Sequence, residues 1–497
     1  MILDRTWDAF NKSQRHRFDS TLDQIHGTAL KILQEIGIAL YPTPRIHEIL
    51  ADCGIRISDG RAFFTPSQIE AWLEKAPSQF TLEARNPEHS VRIGGDHSIC
   101  CAGYGCAAMI DRDGTRREGA LDDLIQFVKL VHQSPHLHLN GGILIQPLDV
   151  PIETGYLTMP YTTLLYSDKP PILPPGSEKE LTGLMELLSI VYGGKETFTA
   201  SYKTTTFIST ISPLKIDPMA LDSMIVSARY RQPILLSPSP AAGTTGPINP
   251  AGNLALATAE TLAGVAIIQM LAPGLPVVAG MNCMGADLRT GSISIGSPAV
   301  SLQLRYAVAL LKRYGLPSRG GGALTDAKVV SPQSGYESML TLMTALQHNV
   351  HLVSHSAGIL DSFAGMSVDK FMMDLELLEM AKFSLGDVEI RSDADFSFDA
   401  IQQAKDTGQF LTTMETLSRC RTHSWNPRIG VRGALTANDY NRALFKNIDD
   451  TLSAMLAQYQ QPALAPQTIT ALEDYLHQNG LDRQTLARIK ASEYPPD

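Results

Sequence analysis

From about His136 onward, apolar positions in this chain fall into two alternating patterns. Short, nearly continuous strand-like runs are followed by longer stretches whose apolar residues recur at helical spacing, each pair taking about 30 to 40 residues. The spacing predicts strands over 137–145, 171–173, 198–208, 233–237, 276–281, 316–321 and 349–355, and helices over 154–166, 178–192, 218–230, 251–271, 298–314, 332–347 and 368–383. Five helix starts carry capping chemistry. Ser177 with Glu180 forms a capping box, and Asp217-Pro218, Asn249-Pro250, Ser297-Pro298 and Ser331-Pro332 each place a polar cap before a proline in the first turn. Seven such units, with an eighth expected within 397–411, predict a closed (β/α)8 TIM barrel rather than a doubly wound sheet, and no glycine-rich phosphate loop favours the latter. The expected division is an N-terminal α+β extension of helices and a hairpin (1–135), the barrel (136–430) and a C-terminal helical extension (431–497). The last segment suits packing or assembly into a homo-oligomer.

Composition narrows the function classes. The chain has 497 residues, 44% of them hydrophobic, and 41 Lys and Arg against 51 Asp and Glu leave a net charge of −10. That balance argues against a nucleic acid partner. The uncharged, strongly apolar stretch 261–286 is broken by Pro273, Gly274 and Pro276, so it reads as a buried helix followed by a strand and not as a membrane span. The charged first residues contain no apolar signal region, and a cytoplasmic location is expected. Six cysteines in so long a chain suggest reduced thiols. The cluster CCAGYGC from Cys100 lacks the paired spacing of a zinc site.

In a barrel of this kind the chemistry sits where strands end and their loops begin. That rule selects Ser209 and Thr210; Ser237 and Ser239; Asn282, Asp287 and Arg289; Arg319, Thr325, Asp326 and Lys328; and His355, Asp361 and Phe363, with the hairpin loop at Tyr104 within reach of the mouth. Three loops stand out: SRGGGALTDAK from Ser318, HSAGILDSF from His355 and MNCMGADLRTG from Met281. Asp326 is expected to oppose a cation and Asn282 to orient a ligand, on loop position. Against these readings stand structural networks: His355 bonded to backbone, Asp326 paired with Lys328, Arg289 clamping a neighbouring loop. Gly103, Gly105 and Ala108 form a loose dinucleotide-binding spacing, but the chain continues as a strand where that motif needs a helix. His136-Leu-His138 resembles the metal-binding start of amidohydrolase-type barrels, yet it precedes its strand and so falls at the end of the barrel away from the loops.

The segments LPVVAGMNCMGADLRTGSISIGSP, GLPSRGGGALTDAKVVSPQSGYESMLTL and HLVSHSAGILDSFAGMSVDKFMMDLELLEM, with HGTALKILQEIGIAL and APSQFTLEARNPEHSVRIGGD nearer the start, resemble the trimethylamine methyltransferase superfamily in its branch lacking pyrrolysine. The resemblance covers about residues 20 to 430 and implies a (β/α)8 barrel with terminal additions. It also implies a methyltransferase that moves a methyl group from a quaternary amine such as glycine betaine to the Co(I) of a corrinoid (cobalamin) held on a separate protein. That chemistry belongs to methylamine metabolism, within methanogenesis or acetogenesis. A quaternary ammonium releases a neutral amine on attack, so no catalytic acid and no metal of the protein's own are required. His355 and Phe363 match the spacing of two pocket residues in related betaine enzymes. Phe363 and then Tyr104 are the expected faces for the cation, and His355, Arg319 or Arg289 the expected donors to a carboxylate. The chain lacks the cobalt-ligating motif of corrinoid proteins, so the corrinoid must come from a partner. Two departures mark this chain: Gln409 and Met414 lie where relatives carry a glycine-rich segment with a histidine, and Ala299 where an acidic residue is common. The rival readings are a metal-dependent amidohydrolase-type barrel and a quaternary-amine binding protein without catalysis.

Overall fold

A computed structural model describes residues 2–41, 43–421, 423–433 and 440–491. Its centre is a ring of eight short strands: β1 (Ile99–Cys100), β2 (Asn140–Gly141), β3 (Pro171–Leu173), β4 (Thr205–Ile208), β5 (Ile234–Leu236), β6 (Val277–Gly280), β7 (Ser318–Gly321) and β8 (Leu352–Ser354). Each strand runs parallel to its neighbours, in sequence order from β2 to β8, and β8 then pairs with β1 through Leu352 and Ile99. A parallel bridge between Cys101 and Leu139 joins β1 to the approach to β2, so the ring closes. Eight helices follow the strands: α1 (Leu121–Gln133), α2 (Gly155–Tyr166), α3 (Glu178–Val191), α4 (Pro218–Arg229), α5 (Pro250–Leu271), α6 (Pro298–Arg313), α7 (Pro332–Gln347) and α8 (Val368–Ser384). This is a (β/α)8 barrel.

The ring begins earlier than the periodicity predicts. Its first strand lies before the expected boundary at His136, and the segment 397–411 holds the short helix Phe398–Ala404 and no barrel strand. Two causes hide β1. A two-residue strand has no period to read, and a hairpin of Ala108–Ile110 with Arg116–Glu118 intervenes before α1. The stretch leading from α8 to the last helices instead exposes Val388, Phe398, Leu411 and Met414.

Local chemistry sets most helix starts as expected. The Ser177 and Glu180 capping box forms, and the side chains of Asp217, Asn249 and Ser331 accept from Ala220, Ala251 and Ser334 N–H. Ser297 makes no such bond. Helix α5 is apolar on every side and long enough to cross a membrane, but 94% of that stretch is buried. The N-terminal helix Ile2–Glu35 and the helix Pro66–Leu73 pack along it, covering the face that a barrel helix ordinarily gives to water. On the far side, the helices Tyr440–Ala457 and Pro466–Gln478 cover α8 and α3.

Ring closure involves a histidine. His138 Nδ1 accepts from Cys100 N–H at 3.1 Å while His138 N–H donates to Cys100 O at 2.8 Å. Burial pushes the His138 ring down to about 4. The folded state thus refuses a proton that the unfolded chain accepts near its ordinary pKa of about 6.5. Stability is therefore complete above about pH 6.5 and falls as pH drops toward 4. Thermal melts between pH 8 and 4.5 are expected to show a Tm plateau and then a decline, shallower in His138→Gln. A Tm unchanged from pH 7 to 5 would contradict this.

Candidate functional site

The C-terminal ends of the ring strands converge on one buried guanidinium. Arg319 is the second residue of β7, and glycine at position 280 on neighbouring β6 makes room for it. A Cβ there would stand 3.1 Å from Arg319 Cδ and 2.8 Å from Ser237 Oγ. The Arg319 side chain is enclosed, the residue being 3% exposed. Its Nε donates to Ser354 Oγ at 3.0 Å, Nη1 to Ser237 Oγ at 2.6 Å, and Nη2 to Tyr104 Oη at 3.0 Å and to His355 Nε2 at 2.8 Å. All four acceptors are neutral, and among the described residues no carboxylate pairs with Arg319. One Nη1 hydrogen is left over from the five donors of the fork.

Aromatic rings wall this cation. The Tyr104 and His355 rings lie 4.3 Å apart, Tyr104 meets Phe207 edge-on at 5.6 Å, and Phe363 lies 4.8 Å from His355. The guanidinium carbon of Arg319 sits 5.5 Å over the Phe207 ring. Burial, and then Arg319, hold the His355 pKa well below its ordinary value. A guanidinium only donates, so the Nε2 contact requires a lone pair there. Tyr104 N–H also lies 3.4 Å from Nδ1, but a neutral ring offers one lone pair, and the shorter, charge-assisted bond takes it. Tyr104 gains its seat because residue 142 is glycine; a Cβ there would come within 3.2 Å of the tyrosine Cβ.

The fold therefore brings Tyr104, Arg319, His355 and Phe363 together. It places the other candidates elsewhere. Arg289 is at the tip of a hairpin (Gly285–Asp287 with Ser292–Ser294), its side chain 91% exposed and paired with Asp287 at 3.3 Å, because that loop folds on itself and turns outward. Asp326 accepts from Ser294 Oγ, Ile295 N–H and Ser362 Oγ at 2.7, 2.7 and 2.8 Å, and Lys328 pairs with Asp361 and not with Asp326. Asn282 holds the rim through its N–H to Pro238 O at 2.8 Å and lines a narrow cleft with Gly321 and Leu324. Phe207 and Ser354 lie within strands and escape a rule that looks only beyond strand ends. Strands buried on nearly every residue carry no alternation that would single these two out.

Metal chemistry finds little support at this mouth. His136 pairs with Glu379 and His138 with Cys100 N–H, so the two histidines diverge, and both precede β2. Among the described residues His89, His132 and Asp168 bring their ligand atoms within 4.8 Å, also ahead of a ring strand. Asp168 there already pairs with His89 at 2.5 Å, and Lys169 and Arg85 stand near His132. Beneath the β7 and β8 loops a buried pair, Lys370 and Asp374, bonds to Ala323 O and Gly358 N–H, tying the two loops together.

A family model described as "Trimethylamine methyltransferase (MTTB)" matches residues 14–481. The chain is 35% identical over 468 residues to a glycine betaine methyltransferase of Desulfitobacterium hafniense, covering 93% of this chain and 96% of that protein. It is 28% identical over 439 residues to a proline betaine:corrinoid methyltransferase of Eubacterium limosum, covering 85% and 89%. An L-carnitine:corrinoid methyltransferase of the same organism is 27% identical over 371 residues, covering 72% and 74%. The crystal structure of a monomethylamine methyltransferase from Methanosarcina barkeri aligns over 94% of this chain and 95% of that one, at 13% identity and a TM-score of 0.47.

Proposed function

This chain belongs to the trimethylamine methyltransferase family, and from that premise we propose that it transfers a methyl group from a carboxylate-bearing quaternary amine to the Co(I) of a corrinoid carried by a separate protein. The observation that carries this reading is the buried Arg319 guanidinium, which meets no carboxylate among the described residues and stands within a wall of aromatic rings. A buried cation without a counter-ion is unfavourable. A zwitterion with a carboxylate at one end and a quaternary ammonium at the other answers both halves of the site.

In this mechanism the substrate carboxylate takes the remaining Nη1 hydrogen of Arg319. The Tyr104 and Ser237 hydroxyls already accept from the guanidinium, so their own protons can point at the same anion. The faces of Phe363, Phe207 and Tyr104 hold the trimethylammonium end by cation–π attraction, worth roughly 2 kcal/mol where water is excluded. The corrinoid, when its protein docks, supplies the nucleophile for in-line displacement. The protein's part is orientation, with the methyl held about 3 to 3.5 Å from the attacking atom. The leaving nitrogen departs neutral with the bonding electron pair, so no proton moves. A neutral His355 suits this, because an imidazolium beside Arg319 would add a second cation where the substrate brings its own. The reading requires no metal of the protein's own and places it in the cytoplasm.

The test is anaerobic. Free cobalamin is reduced to Co(I), the protein is added with glycine betaine, proline betaine, carnitine or trimethylamine separately, and Co(I) absorbance is followed. Methylcobalamin formation with one betaine and not with trimethylamine is expected. Calorimetric binding of a betaine without any methyl transfer, even with corrinoid proteins supplied, would turn the reading toward a binding protein. In the active system Phe363→Ala is expected to raise KM about 10- to 30-fold through lost cation–π attraction, while Phe363→Tyr stays within about threefold.

A further inference from the structure

We infer that Asp326 is a positioning residue: through Ser362 it holds a left-handed backbone run that fixes the ring of Phe363 against His355, without touching the substrate itself. This deepens the proposed function and rests on it for its kinetic readout.

The run is Asp361, Ser362 and Phe363, with φ of 50°, 54° and 74°. L-residues with side chains avoid this region, and three in succession without a glycine persist only where the surroundings dictate them. Here the surroundings are chiefly one four-residue segment, Thr325 to Lys328, in the loop after β7, with Arg116 of the hairpin reaching the Asp361 carboxylate at 3.3 Å. Ser362 N–H donates to Thr325 O at 3.2 Å, Asp361 N–H donates to Ala327 O at 2.9 Å, and Ser362 Oγ donates to Asp326 Oδ1 at 2.8 Å. Lys328 forms an ion pair with the Asp361 carboxylate. Every residue of that segment thus grips the run.

The grip is itself braced. Glu337 of α7 accepts from Thr325 Oγ1 at 2.6 Å and from Asp326 N–H at 2.8 Å. The Asp326 carboxylate also accepts from Ile295 N–H and Ser294 Oγ, both at 2.7 Å, from the loop after β6. One carboxylate therefore joins the loops after β6, β7 and β8. Its oxygens are engaged by three donors, which leaves it poorly placed to serve as counter-ion to a substrate cation. The side chain that follows directly from the gripped backbone is Phe363, whose ring lies 4.8 Å from that of His355.

The two roles separate by variants. Asn at 326 keeps an acceptor for Ser362 and loses the charge; Ala loses both. For a positioning role, Asp326→Asn is expected within about twofold of wild type in KM for the betaine, whereas Asp326→Ala and Ser362→Ala raise it about three- to tenfold. The decisive comparison uses the Phe363→Ala background, in which Asp326→Ala should change KM no further. If Asp326→Asn is as impaired as Asp326→Ala while Ser362→Ala is silent, or if Asp326→Ala still weakens binding when Phe363 is absent, Asp326 acts by charge and the inference is overturned. Amide hydrogen exchange gives an independent readout without substrate: Asp361 and Ser362 N–H should exchange faster in Asp326→Ala and Ser362→Ala, with circular dichroism unchanged. Unaltered exchange in both variants would also overturn it. Should the wild type bind no quaternary amine, the proposed function fails while the exchange data still decide the clamp.

Discussion

Arg319→Met is expected to lower kcat/KM for a carboxylate-bearing quaternary amine by about 10²- to 10³-fold, the consequence of removing one partner from a buried, charge-assisted contact worth about 2 to 5 kcal/mol. Arg319→Lys should recover little, because an ammonium cannot reproduce a planar fork that reaches Ser237, Ser354, Tyr104 and His355 at once. Choline makes the prediction specific. It carries the same trimethylammonium head without the carboxylate, so whatever weak turnover or binding it shows should change less than about tenfold in Arg319→Met. Steady-state kinetics and calorimetry with the two ligands side by side measure this. Equal losses for both would mean that Arg319 merely holds the barrel mouth in shape.

The second large effect is on stability. Lys370 and Asp374 are 1% and 0% exposed, one helical turn apart on α8. Burial pushes the Asp374 carboxyl up to about 6 and the Lys370 ammonium down, with the partner opposing the shift in each case. Asp374→Ala leaves an ammonium buried without its counter-charge and orphans Gly358 N–H. A loss of about 3 to 5 kcal/mol is expected, seen as a fall in the urea midpoint with little change in slope. Replacing both residues with apolar ones, Lys370→Met with Asp374→Leu, should recover much of the loss. A double variant no better than Asp374→Ala would show that the contacts to Ala323 O and Gly358 N–H matter more than the charges.

How much of this was legible in the residues depended on where the signal resides. The helix starts could be read because capping is local: Ser177 with Glu180, Asp217, Asn249 and Ser331 act within one turn. Strand β1 could not, since two residues that pair with partners about 40 and 250 positions away leave no local pattern. At the site, looking beyond strand ends points to His355 and the Tyr104 loop, and Arg319 stands out beside its glycines. The rule is blind to Phe207 because parallel strands buried on both faces show no alternation to tell which side chains enter the barrel. Arg289 shows the opposite error. Its loop has the right composition, but whether a loop folds over the mouth or away from it is decided by the Gly285–Asp287 and Ser292–Ser294 pairing, which that composition does not announce.

Closure of the ring has a consequence for how the chain is made. Ile99 pairs with Leu352, so the first strand lacks one neighbour until about 250 further residues have left the ribosome, roughly 12 to 50 seconds at ordinary elongation rates. Over that interval the growing sheet keeps an open edge at either end. The N-terminal helix, made first, has likewise no α5 to lie on until the ring is more than half synthesised. Nascent chains of this protein should therefore depend on holding chaperones far more than the finished molecule does. Slowing translation between β1 and β8 should lower soluble yield, whereas slowing it after residue 384 should not.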